Sequence, residues 1–125
     1  MPRPMRLYAL RGATTVAEND AGAILGATDE LMREILRRNQ LAPEDLVSCI
    51  FTLTEDLDAE FPAVAARRMG LSAVPLLCAR EVPVPGALPR VIRVLIHCYG
   101  DAGHEPQHVY LGDAAALRLD LSGAQ

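Results

Sequence analysis

A chain of 125 residues, half of them apolar and 22% charged, is long enough for one modest core and too short for two; with three Tyr, two Phe and no Trp, that core must be aliphatic. Twelve basic against sixteen acidic residues give a net charge of −4, which argues against general binding to nucleic acid or anionic membranes and confines any anion site to a local arrangement. No stretch approaches the roughly 20 apolar residues of a membrane span, the start "MPRPMRLYAL" lacks the features of a signal peptide, and three separated cysteines (Cys49, Cys78, Cys98) suit a reducing compartment, so the expected location is the cytoplasm.

The chain reads as a single domain over 1–125, with a Pro-containing extension at 1–5. "RLYALRG" has β character, with Leu7, Ala9 and Arg11 on one face and Tyr8 and Leu10 on the other. "ATTVAEND" reads as a turn with caps. Asn19 or Asp20 can then start a helix running to about Asn39, because Ile24, Ala27, Leu31 and Ile35 recur at helical spacing. "LAPEDL" is a turn, and "VSCIFTLT" is a second strand. Asp56 and Asp58 are candidate caps for a shorter helix in "AEFPAVAARRM", with Pro62 in its first turn and Gly70 as its stop. "AVPLLCARE" is the third strand, "VPVPGALP" is too Pro-rich for regular structure, and "PRVIRVLIHC" is a fourth strand of core-like hydrophobicity. After the loop "YGDAGHEPQ" come a short strand, "HVYL", then a short helical turn and a tail from 117 to 125 expected to be exposed and flexible. The order β-α-β-α-β-β-β predicts an α+β fold: a mixed β-sheet with helices on one side.

The residue that does not fit its surroundings is Arg93. Val91, Arg93, Leu95 and His97 share one face of the fourth strand, and a guanidinium cannot shed its charge when buried, so it must meet an anion from the protein or from a ligand. Arg11 ends an apolar strand just before Gly12, where the chain is expected to turn and strand-end side chains commonly face a cleft, and Glu81 ends the third strand as either a solvated residue or part of a site. Cys78 and Glu81 face opposite ways on a flat strand, so bringing both to one site requires a bulge or bend; Cys78 itself is either a structural thiol or a nucleophile without an evident base. Arg118, in "LRLDL", reads as the partner of Asp120 in a surface salt bridge. His97, His104 and His108 form no metal-ligand spacing, and no nucleophile elbow, phosphate loop or dinucleotide fingerprint occurs, so neither metal nor cofactor is expected. These residues point to an anionic ligand and leave the chemistry open.

Taken together, "RGATTV" at 11–16, "FPAVAAR" at 61–67, "VPLLCARE" at 74–81, "LPRVIRVLIH" at 88–97 and "HVYLGDAAALRLDL" at 108–121 resemble, in order and spacing, the small trimeric class of chorismate mutases. The resemblance implies a pseudo-α/β-barrel homotrimer with active sites between subunits, converting chorismate to prephenate without cofactor or metal. By the same resemblance Arg93 is the central cation, Arg11 and Tyr110 bind a carboxylate, Glu81 accepts from the ring hydroxyl, and Cys78 adjoins that hydroxyl. Leu76 and Leu77 belong to the substrate-binding set, Phe61 and Ala63 wall the cleft from the neighbouring subunit, and the tail with Arg118 folds over the mouth when ligand binds. Val64 stands where a basic residue is common in the family, and Leu77 where threonine is frequent. The competing readings are a trimeric reactive-intermediate deaminase-like protein, which these segments fit poorly, and a non-catalytic module for an anionic metabolite.

Overall fold

A computed structural model of the chain describes residues 4–117. The first strand, β1 (Met5–Thr15), runs past the expected turn at Gly12 through "ATT", because Ala13, Thr14 and Thr15 continue the antiparallel ladder opposite Arg93, Ile92 and Val91. Gly12 is therefore not a turn residue. A Cβ there would lie 2.5 Å from Ile35 Cδ1 and 3.2 Å from both Leu31 Cδ1 and Val94 Cγ1, so the glycine lets a helix lie directly on the strand. Arg11 consequently occupies the middle of a strand rather than its end.

That helix, α1 (Ala21–Arg38), starts as its sequence predicts: the Asp20 carboxylate accepts from the Ala23 N–H at 2.9 Å, and Arg37 and Arg38 stand in its last turn, where the helix dipole favours cations. Its buried stripe comprises Ile24, Thr28, Leu31, Met32 and Ile35, with the Thr28 hydroxyl donating to the Ile24 carbonyl. A 3-10 turn at Pro43–Asp45 leads into β2 (Leu46–Leu53).

The second helix, α2 (Pro62–Arg68), is capped by neither Asp56 nor Asp58; Phe61 is its N-cap and supplies no side-chain cap. The two aspartates tie the loop to other segments instead: Asp56 accepts from the Arg90 N–H and the Thr54 hydroxyl, and Asp58 from the Asn19 amide. Pro62 at the first helical position and Gly70 at φ +100° match the sequence reading. The remaining strands are β3 (Leu76–Arg80), β4 (Val91–Asp101) and β5 (Val109–Tyr110), followed by a 3-10 turn at Gly112–Ala114.

The five strands form one mixed sheet in the order β3-β2-β4-β1-β5, with β4 antiparallel to β1 and β2, and with β2/β3 and β1/β5 parallel. The helices cover one face. There Leu10, Phe51, Val94 and Ile96 from the sheet close on Leu31, Met32, Ile35, Ala63 and Ala66 from the helices, the main hydrophobic contribution to the fold. Cys49 and Cys98 lie on this side, and burial pushes the Cys49 thiol up to about 12 and the Cys98 thiol up as well, so both stay protonated and inert. On the other face Ala13 and Val91 are buried with Ala114 at one end, and the rest is open within the chain. Along β4, Ile92, Val94, Ile96 and Cys98 are covered on the helix side, while on the opposite face Val91 is buried and Arg93, Leu95 and His97 are half-buried.

Candidate active site

Strand register sets the centre of the site. Ala79, Thr52, Arg93, Ala13 and Tyr110 are successive partners across β3, β2, β4, β1 and β5, so they form one transverse row over the whole sheet. Because alternate residues of a strand share a face, the row looks out on the open side together with Arg11 on β1, Ile50 on β2 and Leu95 on β4. A cleft of about 330 Å³ lies over it, lined by Arg11, Gly12, Ala13, Ile50, Thr52, Arg93, Val94, Leu95 and Tyr110. Two guanidinium-bearing residues and a phenol thus meet in a wall that is otherwise aliphatic, the composition of a small-molecule site for an anion.

Glu81 completes the set from the row's edge. Its backbone N–H donates to the Leu53 carbonyl at 2.9 Å, carrying the β2/β3 pairing one residue beyond β3 and turning the side chain towards Thr52. The Glu81 carboxylate oxygen Oε2 accepts from the Thr52 hydroxyl at 2.8 Å and from Arg93 Nε at 3.0 Å. The side chain of Glu81 is 16% exposed and that of Arg93 is 40% exposed, so Glu81 is not the solvated strand-end residue its position allowed. A pair this open to solvent adds little stability. Its effect is geometric, because holding the guanidinium by Nε fixes its plane, and among the described residues neither terminal nitrogen of Arg93 has a hydrogen-bond partner. The anion demanded by Arg93 is thus supplied by the protein at one edge of the fork, with the other edge open for a ligand. Arg11 is anchored through its backbone, its N–H donating to His108 Nδ1 at 3.0 Å.

Within one chain the structure brings together Arg11, Glu81, Arg93 and Tyr110, and separates them from the rest. The β2/β3 register runs without a break from Cys49 opposite Leu76 to Leu53 opposite Arg80, so no bulge reorients Cys78. Cys78 faces the helices, opposite Phe51, and packs with Leu76 against the main core, away from Glu81. Ala63 is buried in the same core, Val64 is half-buried in α2, and Phe61 (62% exposed) and Leu77 (59% exposed) project from the surface. Arg118 lies outside the described residues. Two contributors were not singled out from sequence: Thr52, which reads there only as a good strand former, and His108, whose contact with Arg11 spans 97 positions. No local pattern signals either one.

A family model for chorismate mutase type I matches residues 7–121 of the chain. A chorismate mutase AroH of Thermus thermophilus is 52% identical over 118 residues, covering 93% of this chain and 97% of that protein, and its counterpart from Bacillus subtilis is 39% identical over 120 residues, covering 94% of each. Among solved structures, a chorismate mutase from Clostridium thermocellum superposes with a TM-score of 0.83 at 44% identity, covering 87% of this chain and 98% of its own. The match extends through all five strands and includes every residue of the arginine and glutamate cluster, so with fold, sequence and family model in agreement the chain belongs to the type I chorismate mutases.

Proposed function

We propose that the cleft over Arg93 binds chorismate and carries its intramolecular Claisen rearrangement to prephenate, at the entrance to phenylalanine and tyrosine synthesis. In this reaction one C–O bond breaks as one C–C bond forms, with no covalent intermediate and no required proton transfer. Chorismate must leave its extended conformer for a chair-like one that brings the enolpyruvyl group over the ring. Two cations spaced along the same sheet face, Arg11 and Arg93, suit that task, since holding a dianion in a reactive conformer is catalysis by positioning. Arg11 and Tyr110 take a carboxylate, and Glu81 accepts from the ring hydroxyl.

Arg93 acts on the transition state. As the ether bond stretches ahead of C–C bond formation, negative charge grows on the ether oxygen, and a cation already fixed opposite it favours the transition state over the substrate. The single observation that carries this assignment is the Nε contact with Glu81 at 3.0 Å, which orients the guanidinium and leaves its far edge to the cleft.

The enzyme works as a homotrimer in the cytoplasm, with sites between subunits. Supporting this, the open sheet face presents Leu7, Leu77, Ile50 and Leu95, and Leu7 and Leu77 are at least half exposed in the single chain. Phe61 and Ala63 then wall a neighbour's cleft, and Leu76, Leu77 and Cys78 on β3 complete the substrate-binding set. Leu77 supplies apolar contact there where threonine would offer a hydroxyl, Val64 lowers the positive charge at the entrance, and Arg118 closes over bound ligand.

The test is ultraviolet absorbance of the chorismate ring diene, which prephenate lacks. Purified protein should remove it far faster than buffer, and saturating chorismate lost at the buffer rate refutes the assignment. Sedimentation velocity on serial dilution should show a trimer, with activity falling if the trimer dissociates; a fully active monomer refutes the shared site.

A further inference from the structure

The backbone of Arg11 stands at a break in the sheet. Pairing between β1 and β5 covers only Gly12 with Val109 and Ala13 with Tyr110, and the Leu111 N–H donates to the Ala13 carbonyl at 2.9 Å. Arg11 is two residues before Ala13, so its N–H points to the same edge, where β5 has not yet begun. The ladder is completed there by a side chain: His108, the residue preceding β5, accepts the Arg11 N–H on Nδ1 at 3.0 Å. Since a backbone N–H can only donate, this contact requires the ring tautomer with Nδ1 unprotonated and the proton on Nε2.

The residue before His108 is held from the opposite side. Asn39, 3% exposed at the end of α1, accepts the Gln107 N–H on Oδ1 and donates from Nδ2 to the Gln107 carbonyl, both at 2.8 Å, while the same Nδ2 donates to the Ile35 carbonyl at 2.9 Å. His104 Nε2 approaches Asn39 Oδ1 at 3.0 Å. Hydrogen bonds thus run from the C-terminus of α1 through Asn39 to the Gln107 backbone, and from His108, covalently next in the chain, to the backbone of Arg11.

We infer that His108 is a positioning residue that sets Arg11 for its carboxylate, through the main chain and without touching substrate. The inference rests on the carboxylate-binding role of Arg11 proposed above. A carboxylate is present in both substrate and transition state, so misplacing Arg11 weakens both alike, and the loss falls on KM rather than kcat.

The experiment uses the full chain, chorismate as probe, and three variants. His108→Ala should raise KM about tenfold with kcat within about twofold, and amide hydrogen exchange at Arg11 should accelerate by at least about tenfold, the scale of one lost hydrogen bond. His108→Asn places a carbonyl oxygen near the position of Nδ1 and should restore both KM and Arg11 protection; His108→Gln carries its oxygen one bond further out and should not. Asparagine and glutamine behaving alike, or His108→Ala with native KM and native Arg11 protection, overturns the inference. If the alanine variant fails to fold, the contrast between asparagine and glutamine decides it alone. A wild-type protein that leaves chorismate untouched overturns the functional reading, whereas an active wild type with indistinguishable variants overturns only the role of His108.

Discussion

Replacing Arg93 with alanine separates catalysis from folding. The side chain is 40% exposed and its ion-pair partner among the described residues, Glu81, remains bonded to the Thr52 hydroxyl at 2.8 Å when the guanidinium is removed. The carboxylate is therefore not stranded, and the stability lost should be no more than about 1 kcal/mol, as for other solvent-open pairs. Activity should behave differently. Removing one fixed donor from a developing oxyanion costs about 3 kcal/mol or more, a fall of roughly 10²- to 10³-fold in kcat. Arg93→Lys restores a charge but not the effect, because one ammonium cannot both anchor to Glu81 as Nε does and present a second planar edge to the ether oxygen. The assay is diene loss at saturating and sub-saturating chorismate, with thermal unfolding of each variant followed by circular dichroism. Near-native turnover by Arg93→Ala would refute Arg93 as the central cation; a fall matched by a collapse of the fold would refute the separation of catalysis from stability.

Gly12→Ala forces a methyl to 2.5 Å from Ile35 Cδ1 with Leu31 and Val94 closing the other sides, so it should destabilise the protein by about 1–3 kcal/mol in urea denaturation, and unchanged stability would mean that α1 shifts without penalty. Hydrogen bonds from Arg37 and Arg38 hold the Glu34 carboxyl down to about 2 from the ordinary 4.5. A depressed acid stabilises the fold above its unfolded pKa and loses that contribution as pH falls from about 4.5 towards 2, so Glu34→Gln should flatten the stability profile across that window; because the group is on the surface, 0.5 M salt should shrink the difference, and a salt-insensitive difference would contradict the ion-pair origin. Leu117 packs against the cluster of Ala13, Val91 and Ala114 beside the cleft, and truncation before Leu117 should chiefly raise KM; unchanged KM and kcat would leave Arg118 as a surface residue.

The amino-acid sequence by itself determined the elements whose signals are local. The 3.6-residue recurrence of Ile24, Leu31 and Ile35 behind the Asp20 cap specifies α1, Pro62 and Gly70 bracket α2, and the alternation about Arg93 distinguishes the two faces of β4. Resemblance across five segments then sufficed to suggest family and reaction. Where local signals have two physical uses, sequence reading went astray: Gly12 read as a turn because glycine permits one, yet its missing Cβ serves helix approach, and Asp56 and Asp58 read as helix caps although their carboxylates bind Arg90 and Asn19. Only tertiary structure decided what surrounds the charge. Thr52, Ala13 and Tyr110 join Arg93 in one row solely through strand register, Glu81 reaches its Nε from 12 positions away, and an unbroken β2/β3 register supplies no bulge to bring Cys78 round to the face of Glu81. Pairings of that kind depend on which strands become neighbours, and that choice is set by burial over the whole sheet rather than by any segment of the chain.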